Sequence, residues 1–240
     1  MEIRRFFVDS SDICNNVVTL TGDEFSHMVK VLRYKVGFKA VVCANDGIER
    51  LCTVKEIGKD FATLIIEQET VQDVKNAHVT LFAGLLKNSK LDFVVQKSVE
   101  LGVDEIIPFT SHNCAETKFA KDRAEKIALE AAKQCGSAYL SKVCSLENFD
   151  EVLARFKDFD TVLFAYENEK KNRIKDCRID GKNVALVVGP EGGFTPDETE
   201  KAKECGATIV TLGRRILRAE TASIVSCALL LDHLGELDYE

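Results

Sequence analysis

Residues 183–198 read Asn-Val-Ala-Leu-Val-Val-Gly-Pro-Glu-Gly-Gly-Phe-Thr-Pro-Asp-Glu, and their reading decides the fold. Val184 to Val188 is an uninterrupted apolar run, the pattern of a strand buried on both faces of a parallel sheet. Gly189-Pro190-Glu191-Gly192-Gly193 ends it abruptly. One backbone angle is fixed by proline and three residues are freed by glycine, which suits a sharp turn whose backbone a ligand can approach. Thr195, Pro196 and Glu198 then occupy the N-cap, N1 and N3 positions of a capping box, so a helix starts there. Strand, glycine loop and helix in succession form the junction where open α/β sheets bind ligands, outside the carboxyl ends of their strands. The loop's one charge, Glu191, would repel a phosphate and instead suits ribose hydroxyls, an amino group or a cation.

A second junction follows. Ala207 to Leu212 reads as another buried strand ending at Gly213, followed by the basic-apolar loop Arg214-Arg215-Ile216-Leu217-Arg218 and an apolar helix expected from Thr221 to Leu234. The two loops are expected to be neighbours. They would form a pocket with glycine backbone on one side, Ile216 and Leu217 against an apolar ring, and Arg218 and Glu220 as convergent charges.

Upstream, the chain has two textures. From Met1 to about Val74 it reads as a small barrel of short strands (Val17 to Leu20, Lys39 to Cys43, Leu51 to Ile57, Phe61 to Gln68), with a hairpin at Asn45-Asp46-Gly47 and a helix from Asp23 to Leu32. Gln72 to Ala77 is a polar linker. Beyond it, strands (Val79 to Leu85, the segment containing Pro108, Thr161 to Ala165) alternate with amphipathic helices such as Asp92 to Leu101, which stops at Gly102. Two domains follow, 1–73 and 74–240.

The 240 residues are 45% hydrophobic, enough for real cores, and carry a net charge of −7, unlike a general nucleic-acid binder. RNA contact would need a local patch, for which Arg4, Arg5, Lys30, Arg33, Lys87 and Lys90 are the candidates. The nine cysteines are scattered without a C-x-x-C pair, which fits reduced thiols in a cytoplasmic protein and no metal site. No stretch approaches membrane-spanning length.

Gly-Pro-Glu-Gly-Gly-Phe-Thr-Pro-Asp-Glu at 189–198 and Leu-Gly-Arg-Arg-Ile-Leu-Arg-Ala-Glu-Thr-Ala at 212–222 resemble the two C-terminal motifs of the SPOUT superfamily of RNA methyltransferases. Within it, the chain resembles the 16S ribosomal RNA uridine-N3 methyltransferase family. His27 to Arg33 is similar to the H-x-x-x-V-L-R signature of that family's PUA-like domain, Arg4 to Val8 to its opening, and Leu91 to Val103 to its central helix. The resemblance implies an α/β, trefoil-knotted SPOUT methyltransferase domain preceded by a small PUA-like β-barrel that binds RNA. It also implies a homodimer, with Ser223 to Leu234 as the candidate interface. S-adenosyl-L-methionine would be held by Leu85, Leu86, Gly189, Pro190, Glu191, Gly192, Gly193, Leu212, Gly213, Ile216, Leu217, Thr221 and Ala222. The partner would be 16S ribosomal RNA, on the 30S subunit.

Uridine N3 is a poor nucleophile until its proton leaves. A guanidinium beside the base would favour the uridinate, and Arg218 is the candidate; Glu220 or Glu191 would take the proton, or bind the cofactor and orient the arginine. The chain departs from the family at Ser111-His112-Asn113-Cys114 and Gln134-Cys135-Gly136-Ser137, where arginines are usual, and His112 or Arg123 would have to substitute. Within the superfamily a transfer RNA or 23S RNA target, or a different modified atom, stays open, and functions of other classes fit less well. A dinucleotide-binding metabolic enzyme would carry G-x-G-x-x-G or a Walker lysine, and a non-catalytic RNA-binding protein has no need of two ligand loops.

Overall fold

The computed structural model describes residues 3–72, 74–87 and 89–238. It divides into two compact units, residues 1–74 with 132–140, and residues 75–131 with 141–240.

The first unit is a six-stranded sheet. Its strands are β1 (Arg4–Phe7), β2 (Ile13–Cys14), β3 (Val17–Leu20), β4 (Lys39–Cys43), β5 (Ile48–Ile57) and β6 (Ala62–Val71), with α1 (Gly22–Ser26) between β3 and β4. Their order is β1-β4-β5-β6-β3-β2, antiparallel except where β1 runs parallel to β4. Alternate residues point inward, as the two-residue strand period requires. Ala40 and Val42, Cys52 and Val54, and Ala62, Leu64 and Ile66 therefore meet Phe6, Leu20 and Met28 in one core. The hairpin lies where the sequence puts it, with Asn45 and Gly47 both at positive φ.

The expected helix from Asp23 to Leu32 is not a single α-helix. α1 ends at Ser26 and the backbone widens into a π-turn over His27–Val31, closed by Leu32 N–H donating to the His27 carbonyl at 3.0 Å. Arg33 then takes a left-handed conformation (φ 55°), and the reversal delivers Tyr34 to the core, edge-on to Phe6 at 5.7 Å. Gln72 fixes the segment 132–140 to this unit. Its amide donates to the Gly136 carbonyl at 2.9 Å and accepts from Ala138 N–H at 2.8 Å.

The second unit contains β7 (His78–Gly84), α2 (Ser89–Leu101), β8 (Glu105–Thr110), α3 (Lys121–Cys135, whose last residues belong to the first unit), β9 (Lys142–Val143), β10 (Glu147–Asn148) and α4 (Phe149–Arg155). After these come β11 (Thr161–Ala165), β12 (Asn183–Val188), α5 (Pro196–Glu204), β13 (Thr208–Val210) and α6 (Ala219–His233). The sheet order is β10-β8-β7-β12-β11-β13, with β9 also on β8, and every pairing is parallel. β12 is buried from Val184 to Val188, as its apolar run requires. Its carboxyl end therefore opens mid-sheet, beside β7 and β11.

After β13 at the sheet edge, the chain turns back so that α6 packs on α2 and across β7 and β12 at the centre. α6 begins at Ala219, two residues before the expected start. Arg218 is its N-cap, with extended backbone and no capping side-chain bond.

The capping box of α5 is complete. Thr195 Oγ1 accepts from Glu198 N–H at 3.1 Å, and Glu198 Oε2 accepts from Thr195 N–H at 2.8 Å. Thr195→Ala is expected to cost about 1 kcal/mol, a fall of roughly 2–4 °C in calorimetric melting temperature.

The cysteines are all free. Burial pushes the Cys52 and Cys227 thiols up to about 12, and burial with the nearby Glu105 carboxylate pushes Cys144 up to about 11. At pH 8 a disulfide-exchange reagent should therefore titrate exposed Cys14, Cys135 and Cys205 quickly and reach all nine only after denaturation. Because the folded pKa values are raised, the neutral thiols' contribution to stability is intact below the unfolded value of about 8.5 and is lost as pH climbs towards those folded values. The alkaline limb of the stability curve should fall over that window.

Candidate active site

The glycine loop that follows β12 is held by its neighbours. Phe194 turns back into the aromatic core, 4.2 Å from Phe164 between ring centroids and 6.1 Å from Phe109, and anchors the loop's far end. At the near end, a β-carbon on Gly189 would lie 2.9 Å from the Phe194 ring. Below, the loop rests on β7, where a β-carbon on Gly84 would stand 2.3 Å from Pro190 N and 2.5 Å from the Gly189 carbonyl carbon. Asn113 braces the loop from the side, its Nδ2 donating to the carbonyls of Gly192 at 3.1 Å and Gly193 at 3.3 Å. The departure at 111–114 thus supplies a bracket. His112 N–H donates to Glu198 Oε1 at 2.8 Å and the Cys114 thiol to the Leu85 carbonyl at 3.2 Å.

Facing this loop are Thr211 to Leu217, with Gly213 at φ 116°, and the first turns of α6 at Ala219 and Ala222. Ala165, Tyr166 and Glu167, at the end of β11, form the third wall. Together they form an open cleft, about 890 Å³ when the space open to solvent at its mouth is included.

Ten of the residues expected to bind cofactor line this cleft: Gly189, Pro190, Glu191, Gly192, Gly193, Leu212, Gly213, Ile216, Leu217 and Ala222. Leu85 and Leu86 do not, because both side chains are buried beneath it, and Thr221 faces solvent. Ile216 stands 86% exposed at the mouth.

Glu191 is engaged. Its Oε1 accepts from Lys90 Nζ at 3.1 Å and from Lys87 N–H at 3.4 Å. Burial raises the Glu191 carboxyl, but these two donors outweigh it and the pKa lies below the usual carboxylate range. Lys90 Nζ also lies 3.9 Å from Glu220 Oε2, an atom closed off from solvent and without a hydrogen-bond partner among the described residues. One ammonium therefore sits between the two acids considered as bases. Arg218 is exposed between the lining residues Leu217 and Ala219, with no ion pair or hydrogen bond from its guanidinium among the described residues.

The other basic candidates separate. Lys90 is committed to the two acids. Arg5 is committed to the first unit, its guanidinium 2.7 Å from Glu49 and 2.9 Å from Cys43 Sγ with 11% of the side chain accessible, because its strand position turns it onto the sheet. Arg4, Lys30, Arg33 and Lys87 are exposed. Arg123 pairs with Asp92, and His112 faces a different cleft beside Asn148 and Thr195, so neither reaches the site.

Sequence reading missed Glu167, Tyr166, Phe194, Asn113 and Gly84. The end of a recognised strand was the available signal for the first two.

A parallel α/β sheet whose central strand ends in a glycine loop, faced by a second strand-end loop that feeds the returning helix, defines the SPOUT class of RNA methyltransferases. The RNA methyltransferase domain family matches residues 73–231 and the RNA methyltransferase PUA domain family residues 20–67. Ribosomal RNA small subunit methyltransferase E of Bacillus subtilis is 33% identical over 220 residues, 86% of each chain, and that of Mesomycoplasma hyopneumoniae is 33% identical over 92% of this chain and 95% of its own. The crystal structure of ribosomal RNA small subunit methyltransferase E from Neisseria gonorrhoeae bound to S-adenosyl methionine superposes with a TM-score of 0.85 at 26% identity, over 96% of this chain and 98% of that one. The chain belongs to the ribosomal RNA small subunit methyltransferase E family.

Proposed function

We propose that the chain transfers a methyl group from S-adenosylmethionine to N3 of one uridine of 16S ribosomal RNA, on the assembled 30S subunit in the cytoplasm. The observation that carries the reading is the cleft between the 189–193 and 211–217 loops, lined by their glycines together with Ile216 and Leu217, with Arg218, unpaired among the described residues, at its edge. The activity named for the Bacillus subtilis relative and the cofactor of the Neisseria structure support methyl transfer to small-subunit RNA. The choice of N3 rests on the resemblance to the uridine-N3 methyltransferase family, and Arg218 is the residue that chemistry would use.

In this mechanism the cleft would hold the cofactor, which supplies the methyl group. Arg218, held at the start of α6, places its guanidinium against the uracil oxygen that gains charge as the N3 proton leaves. Glu220 is the less committed of the two acids, its Oε2 3.9 Å from Lys90 whereas Glu191 accepts from Lys90 at 3.1 Å and from the Lys87 amide, so Glu220 is the candidate to act on that proton or to orient Arg218. Residues 1–73 form the RNA-binding domain in this reading, and exposed Arg4, Lys30 and Arg33 supply its phosphate contacts. A second copy of the chain would cover the outer side of α6, where Leu229 is 40% exposed on a helix apolar around most of its circumference.

Methyl transfer from labelled cofactor to 30S subunits lacking the modification, with nucleoside mass spectrometry, tests the reading. It predicts 3-methyluridine in 16S RNA and little product on unfolded RNA. Label in transfer RNA or 23S RNA alone would overturn the assigned target.

A further inference from the structure

We propose that Glu167 is the residue that selects the ribose of the cofactor, its carboxylate accepting from the 2′- and 3′-hydroxyls. The inference rests on the reading of the cleft as an S-adenosylmethionine site.

Two acids line the cleft, Glu167 and Glu191. Sequence logic gives the hydroxyl-binding role to Glu191, but the structure commits that carboxylate to Lys90 and the Lys87 amide. Glu167 has no ion pair and no hydrogen bond among the described residues, so both its oxygens are free to accept. Glu167 is exposed on the cleft wall, where water satisfies its oxygens, so a ligand seated against it must bring donors to replace that water. A vicinal diol brings two.

Placement supports the same role. Glu167 lies two residues past the end of β11, the strand paired in parallel with β12, from which the glycine loop springs. An acid at a strand end beside a glycine loop stands in the relation to its ligand that lets acidic residues of dinucleotide folds take ribose hydroxyls. The carboxylate lies directly against the loop, since a β-carbon on Gly193 would be 3.0 Å from Glu167 Oε1. Gly193 thus does two things. It adopts φ 64°, and it leaves the acid room beside the backbone. Of the neighbouring side chains, the Tyr166 hydroxyl accepts from Asn168 at 3.0 Å and offers no charge to hold a diol.

Calorimetric titration of the full chain with S-adenosylhomocysteine and its 2′-deoxy and 3′-deoxy analogues tests the assignment. Wild type should bind the parent about 10- to 100-fold more tightly than either analogue. Glu167→Ala should lose a similar factor for the parent and bind all three alike, with Glu167→Gln between. Melting of the free variants should match wild type, because Glu167 makes no protein bond for the substitution to break. Parent affinity unchanged in Glu167→Ala overturns the assignment. So does a variant that weakens all three ligands yet still discriminates among them, which would place Glu167 on another part of the cofactor. Wild type failing to bind S-adenosylhomocysteine would instead remove the underlying reading of the cleft.

Discussion

Arg218→Ala is expected to slow methyl transfer by about 10²- to 10³-fold, the usual loss when one preorganised donor to a developing anion is removed. Its melting temperature should stay within about 1 °C of wild type, as for an exposed side chain without partners. Both halves follow from the structure. The guanidinium is exposed and unpaired among the described residues, and the N-cap role of Arg218 is played by its backbone, whose carbonyl accepts from Ala222 N–H at 2.8 Å. Affinity for S-adenosylhomocysteine should be nearly unchanged, because Arg218 flanks the cleft without lining it. Arg218→Lys keeps the charge and loses the planar fork, so it should recover only part of the rate. Single-turnover transfer to 30S subunits is the measurement. An alanine variant within threefold of wild type would remove Arg218 from the mechanism.

The second large effect is expected at a residue that touches no ligand. Gly84→Ala puts a methyl group into the backbone of Gly189 and Pro190, and neither rigid atom can step aside as the tip of a flexible side chain could. Overpacking of this kind costs about 1–3 kcal/mol, roughly 2–12 °C of melting temperature for a chain of this size. The cheapest relief is to lift the glycine loop off β7, which moves one wall of the cleft. Cofactor affinity should therefore fall by at least about tenfold, more than the loss of stability alone would cause at temperatures where the variant is folded. Normal affinity in a destabilised Gly84→Ala would show that the loop keeps its place by other contacts.

The elements legible in the sequence are those fixed by local pattern. The apolar run before Gly189, the capping box at Thr195 and the hairpin at Asn45 each specify a conformation within a few residues. Their positions in the structure agree closely. What was not legible depends on partners far away in the chain. Nothing near Gly84 says that Pro190 will lie on it, and nothing near Asn113 says that it will hold Gly192. The same limit explains Glu191. Among glycines it reads as a ligand-binding acid, until Lys90, a hundred residues earlier, takes the carboxylate. The start of α6 was set two residues late because it was read from the apolar pattern beginning at Thr221, whereas the backbone of Arg218 opens the helix with no side-chain cap to mark it.

The return of the chain from β13 to α6 bears on how the protein is made. β7 spans residues 78–84 and its partner β12 spans 183–188, so the middle of the sheet cannot pair until most of the chain has left the ribosome. The first unit needs only the residues up to 140 and can be complete before then. Every loop that walls the cleft, save the end of β11, comes from residues 188–222. Cofactor can stabilise the protein only after residue 222 has emerged and α6 has found its way back over a sheet that already exists. Pairings of such long sequence separation make for slow folding, so a nascent chain stalled before residue 210 should expose the apolar edge of β11 and depend on chaperones in a way the finished protein does not.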